Sequence, residues 1–245
     1  MAGLPTILEN CPIKESTFEI RFESSFPAGA IYGIAYKDLE DYYTDSEPLP
    51  ILQIPETVRT ADPNFRHQPY YRMKGKDFTL QIGPKIIAIT VKDPYCGWES
   101  YKNEIIRVFQ ILAKLDFISE VTRIGLRYVN TFKSGILDEI KFEIKINDVV
   151  VRNNETLLRT VFEEEHDFKT ILHIANEAVI TEADGDPYTG SMIDVDVSKA
   201  GENLPFMENI DGLIEEAHDI EKRRFFELLK DDFLDTFKPV YEEVK

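Results

Sequence analysis

"TRIGLRYVN", residues Thr122–Asn130, alternates without a break. Ile124, Leu126 and Tyr128 fall on one side of an extended chain, and Arg123, Gly125 and Arg127 on the other. Side chains of a strand point alternately to opposite faces, so this period of two reads as a strand buried on one face. The pattern recurs near the start of the chain. "FEIRFE" (Phe18–Glu23) and "IGLRYV" (Ile124–Val129) share apolar–x–apolar–Arg–aromatic, with Arg21 matching Arg127.

Working outward, each of these strands opens a similar series. Thr17–Glu23 is followed by a helix expected over Ala30–Tyr43 and by a proline-dense irregular stretch. Two or three strands then run through "YYRMKGKDFTLQIGPKIIAITVK", with "KGKD" and "GPK" as turn signals. A helix is predicted from Trp98, with Ile105, Val108, Phe109, Leu112 and Leu115 at helical spacing. After Thr122–Asn130, "KFEIKIND", "LLRTVFEEE", "FKTILHIANEAVIT" and "SMIDVDVS" read as strands. A closing helix is predicted from Ile210 to Phe233, its stripe built by residues such as Leu213, Ile214, Ala217, Ile220 and Phe225. The expectation is an α+β fold within a single domain, residues 1–245. It is a single antiparallel sheet from two weakly duplicated β(α)βββα halves, about 15–119 and 120–240, with the main helices packed on one face.

That arrangement leaves a face bearing Glu19, Arg21, Glu23, Arg123 and Arg127, joined by Thr79, Gln81, Glu143, Lys145, Asp194 and Asp196. A face so charged is too costly to desolvate as dry core. It must be wet, paired within itself or covered by a partner. If the first strands of the two halves pair at the sheet centre, an arginine–glutamate cluster is expected there, because like charges facing each other across strands destabilise a sheet. Gly125 removes a side chain between the arginines, which lets something approach the backbone or the strand bend.

The formal net charge is −17, from 28 basic and 45 acidic residues. A field of that sign argues against generic binding to nucleic acid or to anionic membrane. No apolar run approaches the roughly 18 residues that span a bilayer. The first residues lack the basic start and apolar stretch of a signal peptide, and Cys11 and Cys96 suggest no disulfide framework, so a cytoplasmic setting is expected. One stretch departs from the general charge. Ile51–Lys92 carries seven basic residues against three acidic ones. Arg66, Arg72, Lys74, Lys76 and Lys85 make it a candidate basic patch, against the simpler reading of solvated hairpin turns.

"LQIGPKIIAITVKDPYCGW" and "TRIGLRYVN" resemble a sporadically distributed, uncharacterised bacterial protein family of about 250 residues. Its features appear here as Ile82–Pro84, Pro94–Trp98, Arg123–Asn130 and a C-terminal helix holding His218 and Phe225. The resemblance implies a bacterial source and brings no catalytic residues.

No Walker, Rossmann, zinc-finger, G-x-S-x-G or H-E-x-x-H pattern occurs. Cys96 opens a helix, where a thiol pKa can fall, but no paired histidine is identifiable. "EEEHD" (Glu163–Asp167) reads as a solvated turn before it reads as metal ligands. "DGDPYTG" (Asp184–Gly190) lacks the distal glutamate of a calcium loop. Asp194 and Asp196 share a strand face, more simply as open-sheet polar residues than as an ion site. His218–Asp219 lacks a second His–Asp set, and His67 and His173 have no partners in sequence. Tyr95 and Trp98 are expected to anchor their helix to the sheet. No catalytic residues, metal ligands or cofactors are therefore assigned. The expected function is a non-enzymatic binding or regulatory module of a bacterial cytoplasm. It would recognise a protein partner, or itself as a homodimer, through the open face of Glu19, Glu23, Arg21, Arg123 and Arg127. The alternative is a small-molecule-binding protein or an unfamiliar enzyme, with a pocket between sheet and long helices.

Overall fold

The computed structural model describes residues 3–91, 94–152, 155–181 and 186–241. The chain opens with strands β1 (Ile7–Leu8) and β2 (Ile13–Glu23), helix α1 (Ala28–Leu39) and β3 (Asp45–Pro48). A proline-rich excursion holding the short α2 (Glu56–Ala61) leads to β4 (Tyr71–Lys74), β5 (Phe78–Gly83), β6 (Ile86–Val91) and α3 (Trp98–Leu112). The opening motif lies in the long β7 (Glu120–Phe132). It is followed by β8 (Ile144–Ile146), β9 (Val149–Val151), β10 (Thr156–Glu163), β11 (Phe168–Ile180) and β12 (Tyr188–Ala200). Helices α4 (Ile210–Leu228) and α5 (Asp231–Asp235) and strand β13 (Pro239–Val240) complete the order.

The fold is α+β, with one large antiparallel sheet of nine strands in the order β10-β11-β12-β7-β2-β6-β5-β4-β3. Each run of three consecutive strands folds back, so that β6 lies beside β2 and β12 beside β7. β1 pairs with β13, and β8 with β9, in separate two-stranded sheets. "KFEIKIND" therefore forms one arm of a hairpin, and Glu143 and Lys145 do not join the face of the large sheet. The chain divides into two compact units that interleave in sequence. One comprises Ser16–Leu126 and Ser198–Ala217, and the other Met1–Glu15, Arg127–Val197 and His218–Lys245. Among the described residues no helix is long and apolar enough to cross a membrane.

In the unit built on Ser16–Leu126, Phe18, Ile20 and Phe22 alternate onto one face of β2 and are fully buried. Register carries that face through Ile87 and Ile89 of β6 to Leu80 and Ile82 of β5 and Met73 of β4. α3 lies on it with Phe109 edge-on to Phe18, centroids 5.8 Å apart. The Tyr101 hydroxyl donates to the Ile89 carbonyl at 2.6 Å. α1 covers the same face farther along, with Tyr32 stacked on Tyr71 at 3.7 Å. This helix runs Ala28–Leu39 rather than Ala30–Tyr43. The amides of Tyr42 and Tyr43 both return to the Leu39 carbonyl, and the turn carries the Tyr43 ring into the core.

In the other unit the C-terminal half of α4 buries Ile220, Glu221 and Phe225. The helix stops at Leu228 instead of continuing to Phe233, for a reason far away in sequence. Leu229 bridges to Ile140, and the Lys230 amide donates to the Glu139 carbonyl. α5 restarts with Asp231 and Asp232 in its first turn, where carboxylates suit the helix dipole. Phe233 and Phe237 then close on Phe132, with centroids at 5.5 and 5.9 Å.

Candidate functional site

A row of polar side chains crosses four strands of the unit that contains β10. Arg159 on β10 stands opposite His173 on β11. The His173 Nδ1 lies 3.2 Å from Asp194 Oδ2 on β12. Asp194 in turn receives two bonds from Arg127 on β7, Nε to Oδ1 at 2.8 Å and Nη2 to Oδ2 at 2.9 Å. Alternation builds the row, since each of these residues points away from α4, whose side of the sheet holds Ile174, Ile193 and Val195. The bidentate bond to Asp194 raises the Arg127 pKa above its ordinary value, against the opposing effect of burial. Two apolar side chains flank the row. Leu157 and Val161 sit on either side of Arg159 on the same face and are 77% and 45% exposed. An exposed arginine between exposed aliphatic groups, at the end of a row of linked polar side chains, has the makings of a protein-binding surface, where arginine is enriched and the centre is apolar.

The expected cluster around Arg21 is present in the unit built on Ser16–Leu126. Glu19 Oε1 accepts from Arg21 Nε at 3.1 Å and also from Arg123 Nη1. The Arg123 guanidinium packs over Gly125, and a Cβ there would stand 2.4 Å from Nη1. That is why a glycine separates the two arginines of the motif: the close approach comes from the neighbour's own side chain. Glu23 accepts from Lys85 and from Arg66, and the Lys85 bond holds its carboxyl below the ordinary value. Arg127 does not share in this cluster, because Asp194 takes both prongs of its guanidinium. Part of this face is also covered from within. The Gln68 carbonyl and the Pro69 Cα approach Gly83 so closely that a Cβ there would lie 2.4 and 3.0 Å from them.

Neither do the described basic residues of the Ile51–Lys92 stretch gather in one place. Arg66 and Lys85 meet at Glu23, whereas Arg72 and Lys74 meet at Glu47 on β3, at 3.2 and 3.1 Å. Lys76 lines a shallow cleft of about 220 Å³ with Tyr42, Tyr43 and Arg107. Register against acidic strands disperses the positive charge that a linear count concentrates.

Other candidates resolve into structural roles. Burial alone would raise the Glu164 carboxyl, but hydrogen bonds from Arg224 and Thr170 bring it below its ordinary value. His166 and Asp167 turn the chain in left-handed conformations. Burial pushes the Cys96 thiol pKa up, opposite to the activation that a helix start allows. His218 faces Tyr128, centroids 6.0 Å apart, whereas the adjacent Asp219 is exposed. The Trp98 indole donates to Glu215 on α4, so α3 is tied to another helix as well as to the sheet. Asp184 lies outside the described residues, and among those described no group of three or more His, Cys, Asp or Glu is placed to hold a metal ion. No family model matches the chain, and no curated protein matches it.

Sequence reading missed His173 and Arg159. His173 has no partner within its own strand, and only the register of β11 against β10 and β12 supplies both neighbours. A usable signal was present in "LLRTVFEEE", where Leu157, Arg159 and Val161 alternate outward on a short strand.

Proposed function

We propose that the chain is a non-enzymatic binding or regulatory module of a bacterial cytoplasm, and that it recognises a protein through the open face of its sheet. The observation that carries this reading is the exposure of Leu157 and Val161 beside the Arg159–His173–Asp194–Arg127 row. Arginine is enriched at interfaces and the centre of an interface is more apolar than its rim, which suits Arg159 set between two exposed aliphatic side chains. The resemblance seen in the motifs supports the bacterial setting. Leu157→Asp tests the reading, because it changes the face and leaves the core untouched. A partner co-purified by wild type and lost by Leu157→Asp at unchanged melting temperature supports a protein-binding face. Retention of that partner by the variant overturns it.

A further inference from the structure

We propose that β10 is a self-association edge, and that two copies of the chain pair their β10 strands antiparallel about a twofold axis at Val161. The inference rests on the protein-binding reading above and names the partner as a second copy.

The direction of the backbone groups comes first. The Glu164 amide donates to the Phe168 carbonyl at 2.8 Å, which makes 164 and 168 a hydrogen-bonded pair in the β10–β11 register. Such pairs alternate along an antiparallel ladder. Phe162, Thr160 and Leu158 are therefore bonded to β11. The amides and carbonyls of Leu157, Arg159, Val161 and Glu163 point the other way, to the free margin of the sheet. β10 ends the strand order, and its register with β11 runs from Thr156 to Glu163 without a bulge.

Natural edges are usually blunted by shortness, proline, lysine or inward charge. β3, at the other end of the order, has these devices: it reads Asp-Ser-Glu-Pro, four residues long. β10 is eight residues long with neither lysine nor proline; it exposes Leu157 and Val161, and its two charges, Arg159 and Glu163, are of opposite sign. A margin left open on one side and blunted on the other marks the open one as the pairing side.

The sequence of β10 is complementary to itself in one register. Centring two antiparallel copies on Val161 places Val161 opposite Val161, and Arg159 opposite Glu163 in both directions. All of these residues have outward backbone groups, so each opposed pair exchanges both main-chain bonds. Arg159 has no ion-pair partner in its own chain among the described residues, and Glu163 is held only by an exposed Lys169 at 3.0 Å. Neighbouring registers are worse. Centring on Arg159 sets two guanidiniums face to face, and like charges directly opposite destabilise a sheet. Centring on Thr160 sets Leu157 against Glu163, and centring on Phe162 sets Val161 against Glu163.

Sedimentation equilibrium on the full chain, from micromolar to near-millimolar, tests the proposal. Wild type should be a dimer. Arg159→Glu should weaken the dimer about tenfold or more, since it replaces two attractive cross-strand pairs by two repulsive ones. Combining it with Glu163→Arg should restore the dimer. Val161→Pro removes only an outward N–H, which edge positions tolerate, and should give a monomer. If that variant misfolds, the charge exchange decides. Wild type that stays monomeric throughout overturns the proposal, as does a dimer indifferent to Arg159→Glu. A monomer that still retains a different protein, lost on Leu157→Asp, overturns self-pairing while leaving the binding reading intact. A monomer that retains nothing overturns both.

Discussion

Arg127 and Asp194 form a two-pronged ion pair in which the acid is the hidden partner: the Asp194 side chain is 3% exposed and that of Arg127 46%. The carboxylate is thus desolvated and depends on donors from β7 and β11. Arg127→Met leaves it with His173 alone. Removing one partner of a fully buried pair costs about 3–5 kcal/mol, and the half-exposed guanidinium brings the expected loss to about 2 kcal/mol. Denaturant unfolding measures it. An unchanged midpoint would mean that the arginine is free for binding rather than holding the sheet.

Gly125→Ala should destabilise by about 1 kcal/mol, because the new methyl displaces the Arg123 guanidinium from its place over the strand and from Glu19. In an Arg123→Ala background the obstacle is gone. The same substitution should then be neutral or slightly stabilising, as alanine restricts the unfolded chain more than glycine. A double-mutant cycle reads the coupling, and simple additivity would contradict the contact.

Burial lifts the Glu221 carboxyl to about 8 from its ordinary 4.5, against a weaker pull from Lys222. Between those pH values the folded chain keeps a proton that the unfolded chain releases, so unfolding releases a proton. Stability from this group is therefore greatest below pH 4.5, falls as pH rises towards 8 and levels off above. Glu221→Gln should match wild type near pH 4 and exceed it by up to about 4 kcal/mol at pH 8. Thermal melts across this range check the slope.

Phe225 is 5% exposed on α4, in edge contact with Phe226. Phe225→Asp buries a charge and opens a cavity, each costing several kcal/mol, and should leave a molten or insoluble chain. Retained near-UV circular dichroism with a cooperative melt would show that the helix does not depend on this anchor.

Strict alternation made β7, β10, β11 and β12 legible, because a sheet with one wet face writes its period of two directly into the sequence. Helix starts were nearly as clear, as Trp98 shows. What escaped was set by distant residues. Nothing near Leu229 reveals that Ile140 will stop the helix, and nothing near His173 names Asp194. The basic stretch misled for the same reason, since Glu23 and Glu47 lie outside it. Asn147 and Asp148, both at positive φ, form the two-residue connection favoured in tight hairpins, and they separate β8 from β9 in plain view.

The short acidic β3 bears on how large an assembly can grow. A strand of four residues ending in proline offers little ladder for a newcomer. Association through β10 about a twofold would consume, on both copies, the unguarded margin of the nine-stranded sheet. The contact is isologous and closed, and open-ended fibres require a heterologous, head-to-tail one. Paired in that way, two copies would leave only the guarded β3 margin of the large sheet open to a newcomer. Replacing Pro48 and the β3 carboxylates by β-branched residues should turn a terminating pair into a propagating filament, visible as thioflavin-positive fibres in solutions where wild type stays clear.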